Sequence, residues 1–145
     1  PPHPAPPTGS SLVGTEKCKR HSDSHYGDGP FGMTAFDMET AQRFGAPYLA
    51  IVGNNSAMNQ IRYGQIAKYG EQRGGVGNKL GDLDFSLFGK MIGGYGEEVR
   101  EASEIRPALE RARDAIAKTG KCAVVNVWVD PNEYAPGTKA QTMYK

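Results

Sequence analysis

The chain alternates between short β-prone runs and stretches in which apolar residues recur at helical spacing. YLAIV (48–52) is a continuous apolar run, which is typical of a strand covered on both faces, and CAVVNVWV (122–129) is strongly β-prone. Helical patterns cover residues 34–44, 57–69 and 84–92, and the clearest of them runs from Ser103 to Gly120. EEVR is a candidate short strand. This order predicts an α/β fold, a three-layer sandwich with a mostly parallel sheet.

Both ends of the chain lack these patterns. The first nine of residues 1–26 include five prolines, and the pair Leu12–Val13 is the segment's aliphatic content, so we expect 1–26 to be disordered and regular structure to begin after Gly29. Residues 27–130 form the predicted domain. Residues 131–145 form a C-terminal tail, which is a candidate lid over a binding site. The Gly-rich stretch 71–82 is predicted to be a mobile loop.

Composition narrows the function classes. The 145 residues suit one domain, and a formal charge of +1 gives no electrostatic reason to expect a nucleic-acid or membrane partner. No apolar stretch approaches the roughly 20 residues that a spanning helix needs. The two cysteines form no disulfide framework, which favours a cytoplasmic location, and Cys122 is expected to be a small core residue.

Two turn motifs bracket the first helix and strand. GDG occupies residues 27–29 and NN occupies 54–55, so Asp28 and Asn55 are 27 positions apart, close to the length of about 30 residues of a βαβ unit. In a parallel sheet both turns emerge at the carboxyl edge, where α/β sheets bind ligands. Carboxylate and carboxamide oxygens suit Mg²⁺ or Ca²⁺, and the glycines and following helix start suit a phosphate. The spacing predicts a metal–phosphate clamp.

GDG, 24 intervening residues and NN resemble the signature of thiamine-diphosphate-dependent enzymes. The similarity runs from about Tyr26 to Asp130 and includes the helix EIRPALERARDAI and the strand AVVNVWVDP. The chain resembles the C-terminal, diphosphate-binding domain of the acetolactate synthase, oxalyl-CoA decarboxylase and 2-hydroxyacyl-CoA lyase group. The ending DPNEYAPGTKAQTMYK is most similar to bacterial 2-hydroxyacyl-CoA lyases.

The resemblance implies a bound Mg²⁺ and thiamine diphosphate. Asp28 and Asn55 would ligate the metal through side-chain oxygens, and Ala57 through its backbone carbonyl. The residues that would line the diphosphate come from both turns, and no catalytic residue is assigned. They are Gly27, Gly29, Pro30 and Phe31 from the first turn, and Ser56, Ala57, Met58 and Asn59 from the second.

The chain departs from the family's pattern before Tyr26. A relative should have a hydrophobic strand leading into GDG, whereas this chain has EKCKRHSDSHY, so we expect a sheet that is incomplete at its N-terminal side and a truncated domain joined to an unrelated segment. The family also requires a pyrimidine-binding domain, which would lie on a missing segment or another chain of a homo-oligomeric full enzyme. The chain alone is therefore expected to be inactive.

Three functions follow as hypotheses. The first is the cofactor-binding domain of a carbon–carbon lyase or decarboxylase that resembles 2-hydroxyacyl-CoA lyase, with an acyl-CoA substrate whose phosphates Arg62, Lys68, Arg73 and Lys79 could reach. The second is a non-catalytic orphan domain that pairs with another chain. The third is an enzyme like acetolactate synthase that acts on 2-oxo acids. Separately, Cys18, His21 and His25 have a spacing that could suit zinc, and a solvated linker is the alternative.

Overall fold

The computed structural model describes residues 22–132. Its elements follow one another with short connections, and a 3₁₀ turn at Ala102–Glu104 precedes the last helix. In chain order they are β1 (Asp23–Gly27), α1 (Asp28–Thr34), α2 (Asp37–Arg43), β2 (Leu49–Asn54), α3 (Asn59–Tyr69), α4 (Glu71–Gly74), α5 (Ser86–Met91), β3 (Tyr95–Val99), α6 (Ile105–Thr119) and β4 (Ala123–Trp128).

The four strands form one sheet in the order β1-β2-β4-β3, and every neighbouring pair is parallel. The predicted α/β fold with a parallel sheet is therefore confirmed. Because β1 and β2 are parallel and register Gly27 beside Gly53, the chain leaves both strands at the same edge of the sheet. That edge carries the two motifs.

The sheet has a separate apolar core on each face. Phe31 of α1 and Met38 of α2 pack with Val52 and Val124 on one face, and α5 packs against the same cluster. Ala108 and Ala112 of α6 pack against the other face. Helices thus cover both sides, and β4 is buried along nearly its whole length, which explains its β-branched sequence. The three layers hold the carboxyl edge rigidly.

The expectation that regular structure begins only after Gly29 is wrong. A strand, β1, leads directly into the GDG motif although its sequence, DSHYG, is polar. As the edge strand it needs only backbone hydrogen bonds to β2 on one side, and its side chains alternate between exposed and half-buried positions, so polar residues fit. Asp23 also pairs with Arg113 of α6.

Two other predicted elements differ in detail. The single helix expected over 34–44 is two short helices, α1 and α2, and the first begins at Asp28 itself. The stretch 71–82 begins with a short helix, α4, and Gly74 packs so closely on the backbone of Gln65 and Ile66 that no Cβ would fit. The first part of the predicted loop is therefore a helix that packs closely against α3.

Cys122 is a core residue, as predicted. It is fully buried, its Sγ donates a weak hydrogen bond to the carbonyl oxygen of Met38 at 3.4 Å, and burial raises the pKa of its thiol. Sheet and helices both shield it. The Gln42 side chain also accepts a hydrogen bond from the Cys122 backbone N–H at 2.9 Å and donates to the carbonyl oxygen of Ile92 at 2.9 Å, which ties α2 to the sheet and to the end of α5.

We expect Cys122 to react with a thiol reagent only through opening of the fold. In a Cys18→Ser chain, where Cys122 is the one remaining thiol, the labelling rate at neutral pH should be at least about 100-fold slower than in denaturant, because the protonated, buried sulfur is neither nucleophilic nor accessible. Stopped labelling with mass spectrometry measures both rates. Equal rates would contradict the packing of β4.

Candidate functional site

The carboxylate of Asp28 joins the two sequence motifs. Asp28 is 3% exposed, and its Oδ2 accepts hydrogen bonds from the backbone N–H groups of Asn55, at 3.3 Å, and Ala57, at 2.9 Å. Its Oδ1 accepts from the N–H of Gly29 at 2.8 Å. The turn after β1 and the turn after β2 are therefore one site, as the spacing predicted.

Two oxygens of the second turn remain free. The Oδ1 atom of Asn55 is buried without a hydrogen-bond partner. Within residues 22–132 no hydrogen bond reaches the carbonyl oxygen of Ala57, although Ser56 O accepts from Leu80 N and Met58 O accepts from Arg62 N on either side of it. An unpartnered buried oxygen is costly unless something binds it. These two oxygens belong to Asn55 and Ala57, whose N–H groups contact the Asp28 carboxylate and which, with Asp28, are the residues predicted to hold a metal.

Most backbone N–H groups of this turn are already used inside the protein. Ser56 N donates to Asn54 Oδ1 at 3.1 Å, and Met58 N donates to Asn78 O at 2.8 Å, in addition to the bonds that Asn55 and Ala57 make to Asp28. The first free N–H groups are those of Asn59 and the next two residues, at the start of the eleven-residue helix α3. An anion beside this turn would therefore meet the positive end of α3.

The residues predicted to line the diphosphate lie at the same edge. Gly29 is buried, and a Cβ added to it would lie 2.9 Å from Cγ of Met58, so the two turns approach each other closely at these residues. Gly27 and Pro30 are exposed. Phe31 is different: the whole residue is 1% exposed and its ring packs edge-to-face on Tyr26, Phe85 and Phe88, so it is part of the core and does not line the site as predicted.

A segment from the Gly-rich stretch straps the second turn. Residues 78–80 run antiparallel to residues 56–58, with an isolated bridge between Ala57 and Lys79. Asn78 is 3% exposed, and its Nδ2 donates to Gln65 Oε1 at 2.8 Å and to Gly74 O at 2.6 Å. We call residues 78–82 the strap. It continues to Asp82, whose Oδ1 accepts from Ser56 Oγ at 2.7 Å.

Asn54 and Asn126 form a buried amide pair that sequence reasoning missed. Both are fully buried, and Asn54 Nδ2 donates to Asn126 Oδ1 at 3.0 Å and to Leu83 O at 2.7 Å. With its Oδ1 accepting from Ser56 N, Asn54 connects β2, β4, Leu83 just after the strap, and the second turn. A signal was present: a polar Asn within each of two otherwise apolar strands needs a hydrogen-bond partner inside the core.

Other candidate residues take lesser places. Arg62 has a side chain 14% exposed and pairs with Glu71 at 3.4 Å, so it is turned away from solvent, whereas Lys68 lies over the ring of Tyr69 at 5.2 Å. Asn59 Nδ2 and the Tyr63 hydroxyl both donate to the carbonyl oxygen of Pro131, at 3.0 and 2.9 Å. That contact places the start of the tail beside α3; the rest of the candidate lid lies outside the described residues.

The zinc hypothesis falls largely outside the described residues and stays a prediction. His25 lies on β1, and Cys18 and His21 lie outside residues 22–132. Among those residues no group of three or more His, Cys, Asp or Glu side chains could hold a metal ion. The candidate metal centre at Asp28 uses one carboxylate with amide oxygens, a hard-ligand set of the kind that Mg²⁺ takes.

Residues 22–132 contain no helix long and apolar enough to cross a membrane.

The fold and the site define a class: a parallel α/β domain with a candidate metal–anion site at the carboxyl edge of its sheet. Residues 8–127 match the family model described as thiamine pyrophosphate enzyme, C-terminal TPP binding domain. The chain belongs to this family, and the resemblance seen in GDG and NN is confirmed. Its cofactor is thiamine diphosphate, which enzymes of this kind use alongside Mg²⁺. The match begins inside residues 1–26, so the division at residue 27 stays a prediction.

Curated relatives share only their corresponding part with this chain. A probable acetolactate synthase of Mycobacterium bovis is 33% identical over 110 residues, which is 76% of this chain and 19% of that protein. The 2-hydroxyacyl-CoA lyase 2 of Danio rerio is 26% identical over 134 residues, 90% of this chain and 21% of the relative. A sulfoacetaldehyde acetyltransferase of Alcaligenes xylosoxydans is 31% identical over 108 residues, 74% of this chain and 18% of the relative. The chain thus spans about a fifth of these proteins.

Proposed function

We propose that this chain forms the Mg²⁺- and diphosphate-binding part of a thiamine-diphosphate-dependent carbon–carbon lyase or decarboxylase. The observation that carries the proposal is the contact between the motifs: the Asp28 carboxylate accepts the N–H groups of Asn55 and Ala57. In this arrangement Asn55 Oδ1 and the Ala57 carbonyl oxygen have no hydrogen-bond partner among residues 22–132, and both belong to residues that contact the buried Asp28 carboxylate. Mg²⁺ binds carboxylates together with substrate phosphates, so this donor set fits it.

Each part of the site has a task in this proposal. Asp28, Asn55 and the Ala57 carbonyl hold the metal, and the metal holds the diphosphate. Gly29 and Met58, which touch where the turns meet, shape the floor on which the phosphates rest, and the free N–H groups at the start of α3 complement their charge. Gly27, Pro30, Ser56 and Asn59 complete the lining. When bound, thiamine diphosphate supplies a nucleophilic carbon and an electron sink.

The reaction type follows from the relatives as a proposal. We favour a reaction like that of 2-hydroxyacyl-CoA lyase, because the Danio rerio enzyme of that name aligns over 134 residues, which is longer than the 110 residues of the Mycobacterium bovis acetolactate synthase. An acetolactate synthase-like enzyme is the second candidate, supported by its higher identity of 33%. A cytoplasmic location and a homo-oligomeric full enzyme remain predictions.

This proposal requires a pyrimidine-binding domain from elsewhere. The chain covers about a fifth of its relatives, and the group it resembles places part of the active site on that domain. Combining the chain with the pyrimidine-binding domain of a relative, then comparing cleavage of a 2-hydroxyacyl-CoA with consumption of a 2-oxo acid, separates the two reaction types. Cofactor binding without either activity would favour a non-catalytic role that pairs with another chain.

Replacing Asn55 by alanine tests the metal site without removing its framework. Because the Asn55 backbone N–H still reaches Asp28, we expect the fold to survive, while affinity for thiamine diphosphate in Mg²⁺ falls by roughly 10- to 100-fold. The free energy of unfolding without Mg²⁺ should stay level or rise by up to about 1 kcal/mol, since an unpartnered buried oxygen is removed. Calorimetry and denaturant unfolding measure the two quantities.

Gln72→Ala is the matched control, because it removes an exposed carboxamide from α4, outside the two turns. It should change neither cofactor affinity nor stability. If Asn55→Ala bound the cofactor as tightly as the unmodified chain, Asn55 would not be a metal ligand. No binding by the unmodified chain, with or without Mg²⁺, would point instead to an inert orphan domain.

A further inference from the structure

Ser56 has an uncommon backbone conformation at the centre of the site. Its φ of 56° makes it the one non-glycine residue with positive φ among residues 22–132. The left-handed region is populated by few non-glycine residues, and holding one there costs about 1–3 kcal/mol unless its surroundings impose it. We therefore expect the contacts of Ser56 with its surroundings to account for this conformation.

Three hydrogen bonds hold Ser56. Its N–H donates to Asn54 Oδ1 at 3.1 Å, its carbonyl oxygen accepts from Leu80 N at 2.8 Å, and its Oγ donates to Asp82 Oδ1 at 2.7 Å. The first two use backbone groups that any residue would offer. The third requires a hydroxyl group and an acceptor at these two positions, so Asp82 is the part of the strap that recognises Ser56 itself.

The conformation of Ser56 arranges its neighbours on one side of the turn. The N–H groups of Asn55 and Ala57, on either side of Ser56, converge on one oxygen, Asp28 Oδ2, at 3.3 and 2.9 Å. A left-handed residue in a turn is what brings alternate backbone N–H groups together in this way. The same turn carries both free oxygens of the proposed metal site, Asn55 Oδ1 and Ala57 O.

We propose that Asp82 is a positioning residue for the metal: through Ser56 Oγ it holds the turn so that Asn55 and Ala57 present their oxygens to one ion. This inference rests on the proposed function. Asp82 is itself exposed and lies in the strap, 26 residues away along the chain, so its carboxylate acts on the site through the hydroxyl that it binds. The strap is thereby a second support for the turn, beside Asp28.

A positioning role predicts a difference between two ions. Mg²⁺ requires near-ideal octahedral geometry at about 2.0–2.1 Å, whereas Ca²⁺ accepts 6–8 ligands at about 2.3–2.6 Å in flexible arrangements. Loosening the turn should therefore weaken Mg²⁺ more than Ca²⁺. A merely structural role, in which fewer molecules are folded, would weaken the binding of both ions by the same factor.

The test is calorimetry of the complete chain with thiamine diphosphate, titrated with Mg²⁺ or Ca²⁺. We expect Asp82→Ala to lower Mg²⁺ affinity by roughly tenfold or more, the size typical of groups that orient metal ligands, and Ca²⁺ affinity by clearly less. Asp82→Asn retains an oxygen that can accept from Ser56 Oγ and should stay close to the unmodified chain. Asp114→Ala, on the exposed face of α6, is the matched control.

The Ser56→Gly substitution provides a second, independent test of the role of Asp82. Glycine enters the left-handed region without cost. In a Ser56→Gly background, Asp82→Ala should therefore change Mg²⁺ affinity little, because the contact it removes no longer exists. Circular dichroism checks that each variant is folded before its affinity is compared.

Several outcomes would overturn the inference. For Asp82→Ala, these are an unchanged Mg²⁺ affinity or a loss of affinity that is equal for Mg²⁺ and Ca²⁺. For Asp82→Asn, it is a loss of Mg²⁺ affinity as large as that of Asp82→Ala, which would indicate an effect of charge. For the Ser56→Gly background, it is an undiminished effect of Asp82→Ala. Each of these leaves the proposed function standing, since the unmodified chain still binds the cofactor. Failure of the unmodified chain to bind Mg²⁺ and thiamine diphosphate would overturn both.

Discussion

An Asp28→Ala chain is expected to lose Mg²⁺-dependent binding of thiamine diphosphate, with affinity reduced by roughly 100-fold or more. The substitution removes a proposed metal ligand, and it also removes the acceptor that holds the N–H groups of Asn55 and Ala57. Both halves of the site are affected at once. Calorimetry with the cofactor, with Mg²⁺ present and then absent, measures the loss, and retained tight binding would exclude Asp28 from the site.

Asp28→Ala should also destabilise the chain without any ligand. The three N–H groups that bond to this carboxylate, which is 3% exposed, would lose their acceptor, and leaving such donors unpaired costs about 1–3 kcal/mol each. Denaturant unfolding should show a loss of about 3 kcal/mol, whereas Asn55→Ala should show none. This contrast separates the two residues: Asp28 serves the fold and the ligand, and Asn55 serves the ligand. Asp114→Ala, which removes an exposed carboxylate from α6, should change neither measurement.

A Gly96→Ala chain is expected to be less stable by about 3 kcal/mol, the upper range for overpacking in a rigid core. A Cβ on Gly96 would lie far inside contact distance of the carbonyl oxygen of Ser86, the first residue of α5. Neither side can retreat, because β3 is bonded to β4 and Ser86 is held by two hydrogen bonds to the Asp84 side chain. Thermal unfolding should show a transition lower by roughly 10 °C.

Gly64→Ala is the opposite substitution and serves as the control. Gly64 lies within α3, and a Cβ there would meet nothing within 4 Å. Alanine in a helix interior is favoured over glycine by about 1 kcal/mol, so this chain should be more stable than the unmodified one. A loss of stability similar to that of Gly96→Ala would contradict the close approach of α5 to β3.

The parts of the fold that could be predicted are those whose sequence has one strong interpretation. β2 and β4 are buried on both faces, so their apolar runs could be recognised directly, and α6 shows a clear stripe closed by Gly120, which has a φ of 65°. β1 could not be recognised, because an edge strand gains its place from hydrogen bonds to a neighbour rather than from apolar side chains.

The candidate site divides in the same way. The meeting of Asp28 with the Asn55 turn could be predicted, because a helix and a parallel strand of known length return the chain to the same edge of the sheet. Asn78 and Asp82 could not. They lie in a Gly-rich, polar stretch in which no period appears, and they act on Ser56 and Met58 through single hydrogen bonds to residues distant along the chain.

The amino-acid sequence by itself therefore determined the class of fold, the family and the two motifs of the cofactor site. These depend on periodicity and on local spacing, which the chain carries from residue to residue. Only the tertiary structure decided which N–H groups and oxygens of the turn are used within the protein and which remain free, since that depends on side chains that reach it from the start of α1, the end of β2 and the strap. Hydrogen bonds between distant segments leave no periodic trace in a sequence.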